Sequence, residues 1–138
     1  MTGFGLTSAL FRARRLSAVE IAQMADAGFT SIELVPAPGQ LDLSDASQLD
    51  EIVQAAAAAG LSIGSVSVPV DSAAAMLPVV LDHGWPVLAA RLGPCRVRGS
   101  AATDARSLPA LLETLLDSLS RRGCSIALQS TGGRLVSA

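Results

Sequence analysis

Gly28-Phe29-Thr30-Ser31-Ile32-Glu33-Leu34 is the stretch on which the fold turns. A glycine closes a helix-like segment, an apolar residue follows, and a strand begins. The same order returns in Gly60-Leu61-Ser62-Ile63-Gly64-Ser65-Val66, in Gly84-Trp85-Pro86-Val87-Leu88-Ala89 and in Gly123-Cys124-Ser125-Ile126-Ala127-Leu128-Gln129. Glycine suits the left-handed position just past a helix, because it has no Cβ to clash. The strands that follow are apolar, as parallel strands covered on both faces are. The chain therefore reads as α/β, a series of parallel β-α units.

Working outward, five strands and four helices can be placed. Strand one spans about residues 4–8. Helix one opens on Ser17 and Glu20, the S-x-x-E spacing of a capping box, with Leu16 placed to staple onto Ile21. Its apolar face is Ala18, Ile21, Ala22 and Ala25. Strand two covers 31–35 and is ended by Pro36 and Pro38. Helix two starts near Ser44 or Asp45 and buries Leu49, Ile52, Val53 and Ala56. Strand three covers 62–68 and stops at Pro69. Helix three runs over 72–83, where Pro78 is expected to kink or shorten it. Strand four is 87–92. Helix four carries the stripe Leu108, Leu111, Leu112, Leu115, Leu116 and Leu119 opposite Glu113, Asp117 and Arg121. Strand five is 125–129, ended by Thr131-Gly132-Gly133. Two architectures fit. A doubly wound sheet would place strand one between strands two and three, with helices on both faces. The opening of an eight-stranded barrel, whose whole length is roughly 250 residues, would keep the order 1-2-3-4-5 with helices outside only.

Composition sets bounds on function. At 138 residues the chain reads as one domain, 1–138, long enough to bury a core. Half of it is hydrophobic and its mean hydropathy is +0.47. The longest uncharged run, from Ile52 to Val70, is broken by Gln54, Gly60 and Pro69, so no membrane span is expected. A net charge of −2 gives no field to draw nucleic acid or a membrane surface. No basic segment precedes the first apolar stretch, so no signal peptide is expected. Cys95 and Cys124 are too few for a disulfide scaffold and too far apart for a CxxC site. Cys124 falls in a core slot, and a reducing cytoplasm is the expected location.

Three further segments decide between the architectures. Gly5-Leu6-Thr7-Ser8-Ala9-Leu10-Phe11-Arg12, Leu16-Ser17 through Ala27-Gly28-Phe29, and Ile32-Glu33-Leu34 resemble the opening of the xylose isomerase-like TIM barrel family, which includes sugar phosphate isomerases, epimerases and apurinic-endonuclease-like proteins. Ala59-Gly60-Leu61 with Val66-Ser67-Val68 resembles the family's third strand. Leu111-Leu112-Glu113 through Gly123, then Ile126-Ala127-Leu128-Gln129-Ser130-Thr131-Gly132-Gly133, resembles its fourth helix and fifth strand. The resemblance implies a partial TIM barrel, the N-terminal five strands and four helices, truncated relative to the family.

The resemblance also implies a site at the C-terminal ends of the strands. There the family holds a divalent metal (manganese, magnesium, cobalt or zinc) on carboxylates and a histidine. The ion polarises a sugar carbonyl while carboxylates move a proton next to it. In the sugar epimerases the ligands come from strands five to eight. Here only the fifth-strand position exists, and it is Gln129 where the family usually has glutamate. Pro69 stands where many members carry histidine, and strand four ends in Arg91-Leu92-Gly93-Pro94. The single histidine, His83, lies at a helix end on the opposite side and is read as a partner of the helix dipole. The expectation is therefore isomerase or epimerase ancestry on a small carbohydrate or sugar phosphate, with neither turnover nor a metal in the isolated chain. The alternatives are a non-catalytic barrel fragment and a small doubly wound ligand-binding domain.

Glu33 is the candidate catalytic residue, a lone charge near the end of an apolar strand. Such a charge needs a partner, for which Arg91 is placed, and the bland reading is a structural ion pair. Arg12, Arg91 and Gln129 are the candidate substrate-binding residues. Arg12 sits with Arg14 and Arg15 in the first β-α loop, where guanidinium groups suit a phosphate or carboxylate; three solvated loop arginines are the alternative. Arg96, Arg98 and Thr131-Gly132-Gly133 are weaker anion candidates. Ser65 and Ser67 have no histidine nearby for a triad. Open edges on strands one and five predict a homo-oligomer or a complementary barrel fragment as partner. Inward faces bearing Leu6, Ile32, Val66 and Leu128, or their alternates, would add to that need. At ~25 cal/mol per Å² an unfilled apolar face costs several kcal/mol.

Overall fold

Ser17 and Glu20 open the first helix as their spacing predicts. In a computed structural model that describes residues 3–11, 14–92, 113, 116–117 and 123–130, both halves of the capping box form. The Ser17 backbone N–H donates to Glu20 Oε2 at 2.8 Å, the Ser17 hydroxyl also donates to that carboxylate, and the Ser17 side chain caps the helix N-terminus. Leu16 and Ile21, the two ends of the staple, are fully buried. Burial pushes the Glu20 carboxyl upward, but the Ser17 hydrogen bonds and the charge of Arg14 outweigh it. The group titrates below its ordinary value of 4.5. A depressed folded value contributes stability above about pH 4.5, and that stability is lost as pH falls through the folded value. Glu20→Ala is therefore expected to cost about 1 kcal/mol at pH 7. The gap between wild type and variant, read from urea midpoints, is expected to narrow at pH 3.

The elements are β1 (Gly5–Thr7), α1 (Ala18–Asp26), β2 (Ser31–Leu34), α2 (Ala46–Ala59), β3 (Ser62–Pro69), α3 (Ala73–His83), β4 (Val87–Leu92) and β5 (Ser125–Ser130). Short 3-10 turns follow β1 and β3, at Ser8–Phe11 and Val70–Ser72. The four helix-ending glycines all have positive φ: 92° at Gly28, 73° at Gly60, 65° at Gly84 and 71° at Gly123. That is the left-handed conformation a side chain would resist. Asp45 caps α2, its side chain accepting from the Gln48 N–H at 3.2 Å. Pro78 neither ends nor shortens α3, which runs through it to His83. Of the expected fourth helix only residues 113, 116 and 117 are described. They are helical, but Leu116, placed in its apolar stripe, is exposed.

The chain forms two compact units, Met1–Ser67 and Val68–Ala138. In the first, β1 pairs parallel with β2, and β2 pairs parallel with β3. Strand two thus lies between one and three, which removes the doubly wound order. The helices α1 and α2 pack on each other, so both crossovers lie on one side of this sheet. Arg15, in the loop before α1, forms an ion pair with Glu51 of α2 at 3.0 Å. The buried stripe of α1 is Ile21 and Met24 with Glu20, while Ala18 and Ala22 are exposed. On α2 it is Gln48, Leu49, Ile52 and Ala56. In the second unit β4 pairs parallel with β5, from Val87 opposite Ser125 to Leu92 opposite Ser130. Leu88, Ala89, Ala90, Val80 and Trp85 are buried there, with Cys124 in the core slot its sequence position indicated. Burial pushes the Cys124 thiol above its ordinary value. His83 ends α3, with Nδ1 2.9 Å from the Val79 carbonyl oxygen and its ring stacked on Trp85.

On β2 and β3 the inward face is borne by the alternates of the named residues. Ile32 and Val66 do not face an unfilled interior. They are 1% and 0% exposed and belong to the buried core with Leu34, Leu16, Met24 and Ile52. The other face of the three-strand sheet bears Thr7, Ser31, Glu33 and Ser65. Leaving that face open removes little apolar surface from the balance, because hydroxyls and a carboxylate are already suited to water. Leu128 on β5 is half exposed.

Candidate functional site

The polar face of β1, β2 and β3 forms a recess of about 390 Å³ lined by Gly5, Leu6, Thr7, Ser31, Ile32, Glu33, Gly64 and Ser65. Its volume lies within the range of small-molecule sites, roughly 300–1,000 Å³. Strand register builds it. Gly5 stands opposite Ser31, Thr7 opposite Glu33, and Glu33 opposite Ser65. Two residues apart on one strand share a face, so these side chains form two polar rows across the sheet.

The third strand enters these rows through an irregularity. Ile32 stands opposite Ile63, but the next pair is Glu33 with Ser65. Gly64 is the extra residue. Such a bulge re-aims the side chain that follows it. It turns Ser65 onto the Glu33 face, where the Ser65 hydroxyl donates to Glu33 Oε2 at 3.0 Å. Gly5 has a steric role as well. A Cβ there would lie 2.8 Å from Ser31 Oγ, so only glycine lets β1 approach this closely without displacing the hydroxyl.

The rim beyond the strand ends is held by two buried glutamines. Gln48 Nε2 donates to the Leu16 carbonyl at 3.1 Å and to the Gln40 carbonyl at 2.8 Å, while its Oε1 accepts from the Asp42 N–H at 3.0 Å. Gln40 Nε2 donates to the Ser8 carbonyl at 2.6 Å, and Ser8 Oγ accepts from the Val35 N–H at 2.8 Å. The loops after β1 and β2 are thereby cross-linked through α2. No motif flags these glutamines, because their partners are backbone groups brought together only by the fold.

The sequence-derived site residues part company. Glu33 lines the recess, with Ser65 as its partner; among the described residues it makes no ion pair. Arg91 lies on β4 in the second unit, in register with Gln129 of β5. Arg12 lies outside the described residues, as do the side chain of Gln129, Arg96, Arg98 and Thr131-Gly132-Gly133. Arg15 is held by Glu51, and Arg14 is exposed. Among the described residues no group of three histidine, cysteine or acidic side chains converges on a point. Magnesium or manganese asks for near-octahedral oxygen ligation with one or two carboxylates. Among the described residues the recess offers one carboxylate, Glu33, with the hydroxyls of Thr7, Ser31 and Ser65 as its other side-chain oxygen donors.

No family model and no curated protein matches the sequence. Solved structures do. A xylose isomerase-like TIM barrel protein from Mycobacterium smegmatis, in complex with magnesium, matches 80% of this chain with a TM-score of 0.55 and 19% identity. The fold is that of the xylose isomerase-like TIM barrels. A xylose isomerase domain protein from Planctomyces limnophilus matches 80% of the chain at 16% identity, with a TM-score of 0.46. The chain spans 45% and 46% of these two proteins, so it corresponds to less than half of either. Five parallel strands in β-α units are thus a partial version of the xylose isomerase-like fold. No helix among the described residues is long and apolar enough to cross a membrane.

Proposed function

We propose that the chain is the carbohydrate-contacting opening of a sugar isomerase- or epimerase-like barrel, with Glu33 at the centre of its binding surface and no turnover by the chain alone. The observation that carries this reading is the Glu33–Ser65 pair in a hydroxyl-lined recess, with Glu33 one residue from the C-terminal end of β2, the strand end at which barrels of this kind bind their ligands. A small sugar presents hydroxyls that both donate and accept. Glu33 would accept from them, and Thr7, Ser31 and Ser65 would do either. In a completed site Glu33 could also take a proton beside a sugar carbonyl, the step that isomerisation and epimerisation share. Stabilising the resulting negative charge needs a positive or hydrogen-bonding group at the carbonyl oxygen, which a completed site would have to supply.

Calorimetric titration with D-xylose tests the binding part. Weak, millimolar-range affinity is expected, falling about tenfold or more in Glu33→Ala. Equal affinity in the two proteins would sink the assignment of Glu33. Incubation with sugar in deuterated water tests the catalytic part. We expect no deuterium beside the carbonyl; incorporation by the wild type that Glu33→Gln abolishes would make the chain an enzyme by itself.

The partner we propose is a complementary barrel segment or a second copy, because the outer edges of β1 and β5 would pair within a closed barrel. Sedimentation at micromolar concentration is expected to show association. A stable, cooperatively unfolding monomer would contradict it.

A further inference from the structure

The recess carries a charge preference that the fold alone does not supply. Among the described residues its lining contains one carboxylate, three hydroxyl side chains, two glycines and two aliphatic residues, and no basic group. Glu33 has about four acceptor positions on its two oxygens. Among the described residues only one of them is used, by the Ser65 hydroxyl. Ser65 is neutral, so among the described residues no cation offsets the Glu33 carboxylate at the recess. The one ion pair among the described residues, Arg15 with Glu51, ties the loop before α1 to α2 and does not involve this face. A phosphorylated ligand placed here would meet a like charge and, among the described residues, no guanidinium fork. A ligand with an ammonium among hydroxyls would meet a carboxylate at the centre and hydroxyl partners on both sides.

Resting on the carbohydrate reading above, we propose that the recess selects amino sugars, or compact amino polyols of the same chemistry, over neutral sugars and against sugar phosphates. The ammonium would donate to the Glu33 oxygens, and the flanking ligand hydroxyls would bond to Thr7, Ser31 and Ser65. A charge-assisted hydrogen bond is about twice as strong as a neutral one. Solvent screening at an open recess limits the gain to roughly fivefold in affinity.

The test is calorimetric titration of the full chain at pH 6 with D-glucosamine, D-glucose and D-glucose 6-phosphate. Glucosamine is expected to bind about fivefold more tightly than glucose, and glucose 6-phosphate more weakly than either. Glu33→Gln keeps the shape and removes the charge, so it is expected to bring glucosamine and glucose to equal affinity. High salt should narrow the gap in the wild type and leave the variant unchanged. If glucose binds and glucosamine binds no better, this proposal fails and the carbohydrate reading stands. A glucosamine preference that survives in Glu33→Gln, or a preference for the phosphate, also overturns it. If neither glucose nor glucosamine binds, both readings fall.

Discussion

Ile32→Ala is expected to cost about 3 kcal/mol of stability, while Glu33→Gln, one residue on, should change it by less than about 0.5 kcal/mol. The contrast follows from alternation along β2. Ile32 is 1% exposed and stands between Leu6 and Ile63 in register, within the face that carries Leu34 and Val66. Truncation to alanine removes three buried carbons and leaves a cavity that strands fixed by backbone hydrogen bonds cannot collapse to fill. Glu33 points the other way, and the glutamine amide oxygen can still accept from Ser65. Urea denaturation of the three proteins measures both changes. Similar losses at the two positions would mean that the polar face is buried against something, and that the recess is not an open surface.

Gln48→Leu is expected to destabilise by about 3 kcal/mol, although leucine is the better helix former and is similar in size. The side chain is 3% exposed and serves three backbone groups, the carbonyls of Leu16 and Gln40 and the N–H of Asp42. Leucine would leave all three without that partner. A buried polar group left unsatisfied costs about 1–3 kcal/mol, and part of the loss would be recovered by water entering at the rim. Gln48→Glu should also be poor, since a carboxylate cannot donate to the two carbonyls. The denaturation midpoint gives the magnitude. Hydrogen exchange gives the location, with faster exchange expected at Leu16 and Asp42, whose loops the side chain joins. An unchanged midpoint would show that the cross-link between the loops is dispensable.

Local order was legible in the sequence. The capping box at Ser17 and Glu20, the left-handed glycines and the apolar strand cores depend on neighbours a few residues away, and each forms where its pattern lies. The resemblance to an isomerase-type barrel was carried by the same local units in their order. What the sequence could not reveal was which residues meet across strands. Gly64 looks like any small strand residue, yet as the bulged position it decides that Ser65 and not Gly64 stands beside Glu33. The same step puts Val66 on the buried face. The lone charge at Glu33 calls for a partner, for which Arg91 is one possibility by charge and position; the strand register sets Ser65 beside that carboxylate. Gln40 and Gln48 were invisible because their ligands are backbone groups from separate loops. Of the predicted α1 face Ala18, Ile21, Ala22 and Ala25, Ile21 is buried, and Met24 joins it while Ala18 and Ala22 are exposed. Pro78 predicts a kinked or shortened helix, and α3 runs through it to His83.

The claim that the Glu33 face is the ligand surface is tested most directly by following backbone amide resonances of isotope-labelled protein during titration with D-xylose. The account predicts saturable shifts at Thr7, Ser31, Glu33 and Ser65, absent in Glu33→Ala, with the buried positions Ile21 and Ile52 unmoved. Shifts that spare these four residues and gather elsewhere, or that persist unchanged in Glu33→Ala, would contradict it.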